Sequence, residues 1–188
     1  MRIGIDISQL AYSNTGVANY LKNLVQELVK SEHEFVLFYS SLRQPVPQSV
    51  LDIVIKENVK LVKKRFPNSL LNFLWNDLHK IPIESFIGDV DLFITSDWSE
   101  PPTKKAKKAT IIYDLIVYKY PEETHNKTDF KLSNLTLTSN IVNILMKKLS
   151  WVKDECSLVF CISESTKKDV IEILGISEDK VKIIYPGY

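Results

Sequence analysis

Glycine is scarce in this chain, with five in 188 residues. They stand singly at Gly4, Gly16, Gly88, Gly175 and Gly187, so neither GxGxxG nor GxxxxGK[ST] occurs, and a self-sufficient dinucleotide or Walker-type phosphate loop is excluded. Cysteine is scarcer still. Cys156 and Cys161 form no CxxC and have no metal-like spacing to the three histidines, so they read as buried, reduced thiols of a cytosolic protein. A charge excess is missing as well. The 24 basic and 23 acidic residues leave a net charge of +1, which removes any bulk electrostatic argument for nucleic acid. Long apolar runs are also absent. The longest candidate, Leu132–Leu149, is broken by Asn134, Asn140, Asn143, Lys147 and Lys148 and cannot span a bilayer. The opening MRIGIDIS runs straight into a strand pattern without a basic n-region or an apolar h-region, so no secretory signal is expected.

What is present is an alternation of strands and helices. Arg2–Ile7, Glu34–Tyr39, Val59–Val62, Val90–Thr95, Ala109–Asp114, Leu158–Ile162 and Val181–Tyr185 read as strands. Helices are expected over Gly16–Lys30, near Gln48–Glu57, over Leu70–Lys80 with Pro82 as the stop, over about Thr128–Val152, and over Glu164–Leu174 ending at Gly175. Runs such as TIIY and LVFCI suit strands buried on both faces. The order predicts an α/β domain, an open, mostly parallel sheet with helices on both faces, in one domain over residues 1–188. The final stretch, LVFCIS-ESTKKDVIEILG-ISEDKVKIIYPGY, is a complete strand–helix–strand unit.

Ligands in such folds sit outside the carboxyl ends of the strands. Four loops there carry candidate residues, each with a plainer alternative. In SQLAYSNTG, Thr15 and Gly16 open a helix whose N-terminus could hold a phosphate, or Asn14 or Thr15 simply caps it. In SDWSEPP, Trp98 could stack on a sugar with Asp97 or Glu100 as acceptor, or Trp98 covers a core edge. At Tyr113-Asp114 the carboxylate could meet a ligand or fix its own loop in an Asx turn. Ser163, followed by Glu164, could direct a helix N-terminus at the cleft or act as an N-cap alone. Two basic runs, Lys63-Lys64-Arg65 and Lys104-Lys105-Ala106-Lys107-Lys108, read as solvated faces or as attraction to an anionic bilayer. The segment NSLLNFLWNDLHK has an apolar surface wider than one core-facing stripe, which leaves part of it for lipid or a partner.

The blocks MRIGIDIS…TGVANYLKNLVQEL, VDLFITSDWSEPP, ATIIYDLIVYKYPE and LVFCISESTKKDVIEILGISEDKVKIIYPG, in that order, resemble the N-terminal half of family 4 glycosyltransferases. The resemblance implies the retaining GT-B architecture of two Rossmann-like domains. The half represented here would bind the acceptor, while a C-terminal half, absent from these residues, would bind a nucleotide-sugar. It implies hexosyl transfer to a glycan or lipid-linked acceptor in cell-envelope polysaccharide or glycolipid synthesis, at the cytoplasmic side and peripherally at the inner face of the membrane. No metal or resident cofactor is expected. By position, Thr15 and Gly16 would approach the donor diphosphate, and Tyr113 and Asp114 would be the catalytic pair facing the reacting sugar. Asp97 and Trp98 would shape the acceptor pocket, and Ser163 and Glu164 would line the cleft. Many members carry His-Asp where this chain has Tyr113-Asp114; a phenol hydrogen-bonds a sugar but cannot stand in for an imidazole as a proton partner. Glu164 and Glu172 mimic the spacing of the family's paired glutamates, yet they share one amphipathic helix and read as its solvated surface. Without its donor-binding half or a complementing chain, the chain is expected to be inactive. The rival reading is a non-catalytic glycan- or partner-binding module. A receiver domain is excluded because Asp6 in the first strand has no acidic companion.

Overall fold

The computed structural model describes residues 1–96, 98–120 and 139–187, with residues 139–141 described by their backbone. Seven strands form one sheet: β1 (Arg2–Asp6), β2 (Glu34–Ser40), β3 (Val59–Lys64), β4 (Leu92–Thr95), β5 (Lys107–Ile112), β6 (Cys156–Cys161) and β7 (Val181–Ile183). The helices are α1 (Gly16–Leu28), α2 (Gln48–Val54), α3 (Asn68–Asn72), α4 (Glu84–Ile87), α5 (Ile116–Lys119), α6 (Ser139–Glu155) and α7 (Glu164–Leu174). The spatial order is β3-β2-β1-β4-β5-β6-β7, and every pairing is parallel. The chain winds outward from β1 in one direction, then restarts at β4 on the other side, which makes this a Rossmann-like sheet with its switch point between β1 and β4.

Strand β2 shows why both faces are covered. Phe35, Leu37 and Tyr39 join Leu21, Val25, Val50 and Ile53 of α1 and α2 in one core. Val36 and Phe38, pointing the other way, pack with Leu71, Trp75, Ile83, Ile87 and Phe93. A third cluster joins Leu149 and Val152 of α6 to Val159, Cys161, Val170 and Leu174. Gly4 sits where β1 passes Phe93; a Cβ there would stand 2.7 Å from Phe93 Cδ2 and 2.9 Å from Ile87 Cδ1.

Several boundaries differ from the sequence reading. The helix expected over Leu70–Lys80 is α3 followed by one π-helical turn, Phe73–Asp77, and the chain then leaves through His79 (φ 49°) and Ile81 (φ 63°) rather than running on to Pro82. The basic run Lys104–Lys108 is not one solvated face, because β5 begins at Lys107 and Lys108 is 2% exposed. Of the helix expected over Thr128–Val152, the part before Ser139 lies outside the described residues, and α6 continues to Glu155. The cap residues of α7 are as read: Ser163 Oγ accepts the Thr166 N–H at 3.1 Å, and Gly175 closes the helix at φ 65°. Both cysteines are free and buried; burial pushes the Cys156 thiol far up and the Cys161 thiol up to about 11. Among the described residues, no helix is long and apolar enough to cross a membrane.

Candidate functional site

A cleft of about 600 Å³ opens at the carboxyl ends of β1, β4 and β5, at the switch point. Its floor is the end of β5, Ile111 through Leu115. One wall comes from the 3₁₀ turn Ser8–Ala11 and the start of α1, which supply Gln9, Tyr12 and Thr15. Another comes from the loop after β4, with Ser96 and Trp98, and a third from Ile144, Leu145, Lys148 and Leu149 of α6. Asn68, Asn72 and Tyr118 complete the rim. The surface is mainly apolar and aromatic, with a few polar groups set into it, as in small-molecule sites generally.

The walls are held by hydrogen bonds that the sequence does not announce. Ser96 Oγ donates to the Asp6 carbonyl at 2.7 Å, tying the end of β4 to the end of β1, and the Ser40 N–H donates to Ser8 Oγ at 3.0 Å. The loop carrying Trp98 is clamped by Asn76, which is 3% exposed and lies in the π-helical turn. Its Nδ2 donates to the Trp98 carbonyl at 2.9 Å, and its Oδ1 accepts the Glu100 N–H at 2.9 Å. Its own carbonyl accepts the Trp151 indole N–H from α6 at 3.0 Å.

Beneath this clamp a chain of polar and charged groups runs from the interior to the surface. Glu100, fully buried, pairs with Lys108 Nζ at 3.1 Å and accepts Thr95 Oγ1 at 2.7 Å. Lys108 also meets Glu155 at 2.6 Å, and Glu155 meets His79 Nε2 at 2.8 Å. The His79 ring stacks on Trp151 with centroids 3.6 Å apart. Burial draws the Lys108 ammonium pKa down, but Glu100 and Glu155 more than offset this and raise it above 10.5. Burial likewise pushes the Glu155 carboxyl up, while the bonds from Lys108 and His79 bring it below 4.5. Glu100 is therefore committed to the interior and is not the ligand acceptor considered from the sequence.

Of the residues singled out in the sequence, Thr15, Trp98, Tyr113 and Asp114 line one cleft. Trp98 is 37% exposed and faces it. The Tyr113 ring meets Tyr20 edge-on, 5.7 Å between centroids, and the Tyr113 carbonyl accepts Thr166 Oγ1 at 3.1 Å. Asp114 is exposed, and its Oδ1 accepts the Ile116 N–H at 3.1 Å, so the Asx turn is real and the residue still stands on the cleft. Thr15 caps α1, its Oγ1 accepting the Ala18 N–H at 3.2 Å. Gly16 is not on the cleft wall, and a Cβ there would meet nothing within 4 Å. Ser163 and Glu164 are also off the wall: Ser163 caps α7, and Glu164 accepts the Tyr185 hydroxyl at 3.1 Å. Asp97 lies outside the described residues. Glu172 is solvated beside Lys168, as expected of helix surface. Sequence reasoning missed Gln9, Tyr12, Asn72, Tyr118 and Lys148, which no motif marks. Among the described residues, no group of three or more His, Cys, Asp or Glu comes together to hold a metal ion.

The sheet order and the position of the cleft define an α/β domain of the Rossmann-like class. The profile of Glycosyltransferase Family 4 matches residues 14–188, and the chain belongs to that family. No curated protein matches it.

Proposed function

We propose that this domain is the acceptor-binding side of a retaining glycosyltransferase of GT-B architecture, with the nucleotide-sugar held by a second, donor-binding domain. The observation that carries this reading is the composition of the switch-point cleft. Tyr12, Trp98, Tyr113 and Tyr118 offer aromatic faces, while Gln9, Asn72 and Asp114 offer hydrogen-bonding groups at the rim. Aromatic faces with sparse amides and carboxylates suit the alternating C–H and hydroxyl surfaces of a sugar. In transfer, the bond between the anomeric carbon and the phosphate oxygen breaks, releasing a nucleoside diphosphate. A new bond forms to an acceptor hydroxyl oxygen, whose proton passes to the departing phosphate oxygen. Asp114, on the cleft wall, is suited to orient that hydroxyl, and the capped start of α1 at Thr15 lies on the side a donor diphosphate would approach. With half of each contact set elsewhere, the 188-residue chain alone is expected to turn over no donor.

Contact with an anionic membrane belongs to the same reading. Lys63, Arg65, Lys104, Lys105 and Lys107 are exposed, and each basic side chain near such a surface contributes about 1 kcal/mol. Lys108, being buried, does not take part.

The test is release of nucleoside diphosphate from a panel of nucleotide-sugars by the intact cellular protein, with lipid and glycan fractions of its source cell envelope as acceptors. Transfer with the anomeric configuration retained is the expected result. Glycan binding without release of nucleoside diphosphate from any donor would favour a non-catalytic module.

A further inference from the structure

Beside the cleft lies a second depression of about 410 Å³, between the π-helical turn and α6. That volume falls within the range of about 300–1,000 Å³ typical of small-molecule sites. Its lining differs in kind from that of the main cleft. From α3 come Ser69 and Asn72, from the π-helical turn Phe73, Asn76 and Asp77, and from α6 Asn143, Ile144 and Lys147. Asn72 and Ile144 line both depressions, so the two are adjacent and meet at those side chains. We propose that this groove is a second carbohydrate subsite, holding the units of an acceptor glycan that follow the one in the cleft; the proposal rests on the acceptor reading above.

Three observations support it. Asn76 is spent on the Trp98 loop, but Asn72 and Asn143 make no side-chain hydrogen bond among the described residues, which leaves two amides, each with two donors and an acceptor, facing one groove. Phe73, 51% exposed, lines the same groove and gives the apolar face a sugar ring needs. The charges match a neutral, hydroxyl-rich chain better than an anionic one: among the described residues the one cation in the lining, Lys147, is already paired with Asp77. A nucleotide or phosphorylated ligand would find no uncommitted positive charge there. A fully apolar chain would leave both amides without partners, which is costly.

The test uses the 188-residue chain, ¹⁵N-labelled, with the side-chain amides assigned by comparison with Asn72→Ala and Asn143→Ala. The probes are mono- to hexasaccharides of glucose, mannose, galactose and N-acetylglucosamine. At least one series should bind more tightly as it lengthens. The Trp98 indole signal should move with the monosaccharide, and the Asn143 amide, which lines the groove and not the cleft, only with longer members. Phe73→Ala with Asn143→Ala should remove a gain of about tenfold for the longer oligomers, equal to about 1.4 kcal/mol. Monosaccharide binding and the melting temperature should be unchanged, since both side chains are exposed. A series that moves Trp98 with an affinity independent of length, leaving Asn143 still, overturns the groove and spares the cleft. If no probe moves either region, the groove and the acceptor reading both fail.

Discussion

Asn76 shows how one side chain can govern a site it does not enter. Its amide joins the π-helical turn to the Trp98 loop through two hydrogen bonds. Asn76→Ala would leave the Glu100 N–H buried without its acceptor, a loss of about 1–3 kcal/mol in unfolding free energy. Acrylamide should then quench Trp98 more readily, with Trp98→Phe identifying its share of the emission. Lys108 is the second such residue. Lys108→Met removes the cation between two carboxylates and leaves Glu100 charged in the interior, at a cost of about 3–5 kcal/mol by urea unfolding. The pH dependence follows from the shifts. The Glu155 carboxyl lies below its ordinary 4.5 in the folded chain, so its contribution is complete above that value and is lost as pH falls through the lower folded one. The Lys108 ammonium lies above 10.5, so its contribution is complete below that value and is lost as pH rises through the higher one. The stability gap between wild type and Lys108→Met should therefore be widest between these limits and narrow on acidification.

Among the elements, β1 and α7 give the clearest tests. Gly4 lets β1 approach Phe93, and Gly4→Ala forces a Cβ into side-chain atoms under 3.0 Å away. A loss of about 1–3 kcal/mol is expected from such overpacking, read as a lower urea midpoint. Ser163 separates structure from chemistry in α7. Ser163→Ala should cost about 1 kcal/mol as a lost N-cap and leave acceptor binding unchanged, because Ser163 is not on the cleft wall. The elements themselves were largely legible. Apolar runs such as EFVLFY name β2 because it is buried on both faces, and the Ser163 and Gly175 signals bracket α7 closely. The π-helical turn was not legible, since its residues are ordinary helix formers and the wider turn is associated with the Asn76 clamp to a loop 22 residues away. The burial of Lys108 was hidden for a related reason. A five-residue run rich in lysine reads as solvent-facing until Glu155, 47 residues further on, is brought beside it.

For the whole molecule, the sheet order concentrates ligand-binding surface at one edge. The reversal of winding between β1 and β4 leaves a crevice there, and the loops after β1, β4 and β5 close around it. Of the residues that the carboxyl ends of the strands single out, Thr15, Trp98, Tyr113 and Asp114 line this crevice, while Gly16, Ser163 and Glu164 do not. The strand-end rule could not find Tyr12, Asn72 or Lys148, whose places depend on how the turn after β1, α3 and α6 pack around that edge. The proposed acceptor site at Trp98 is distinguished from a donor site by steady-state kinetics of Trp98→Ala in the intact protein with its nucleotide-sugar and acceptor. Loss of the aromatic face should raise the acceptor KM about tenfold, in line with about 1.4 kcal/mol, and leave the donor KM unchanged. A rise in the donor KM with the acceptor KM unaltered would contradict the account.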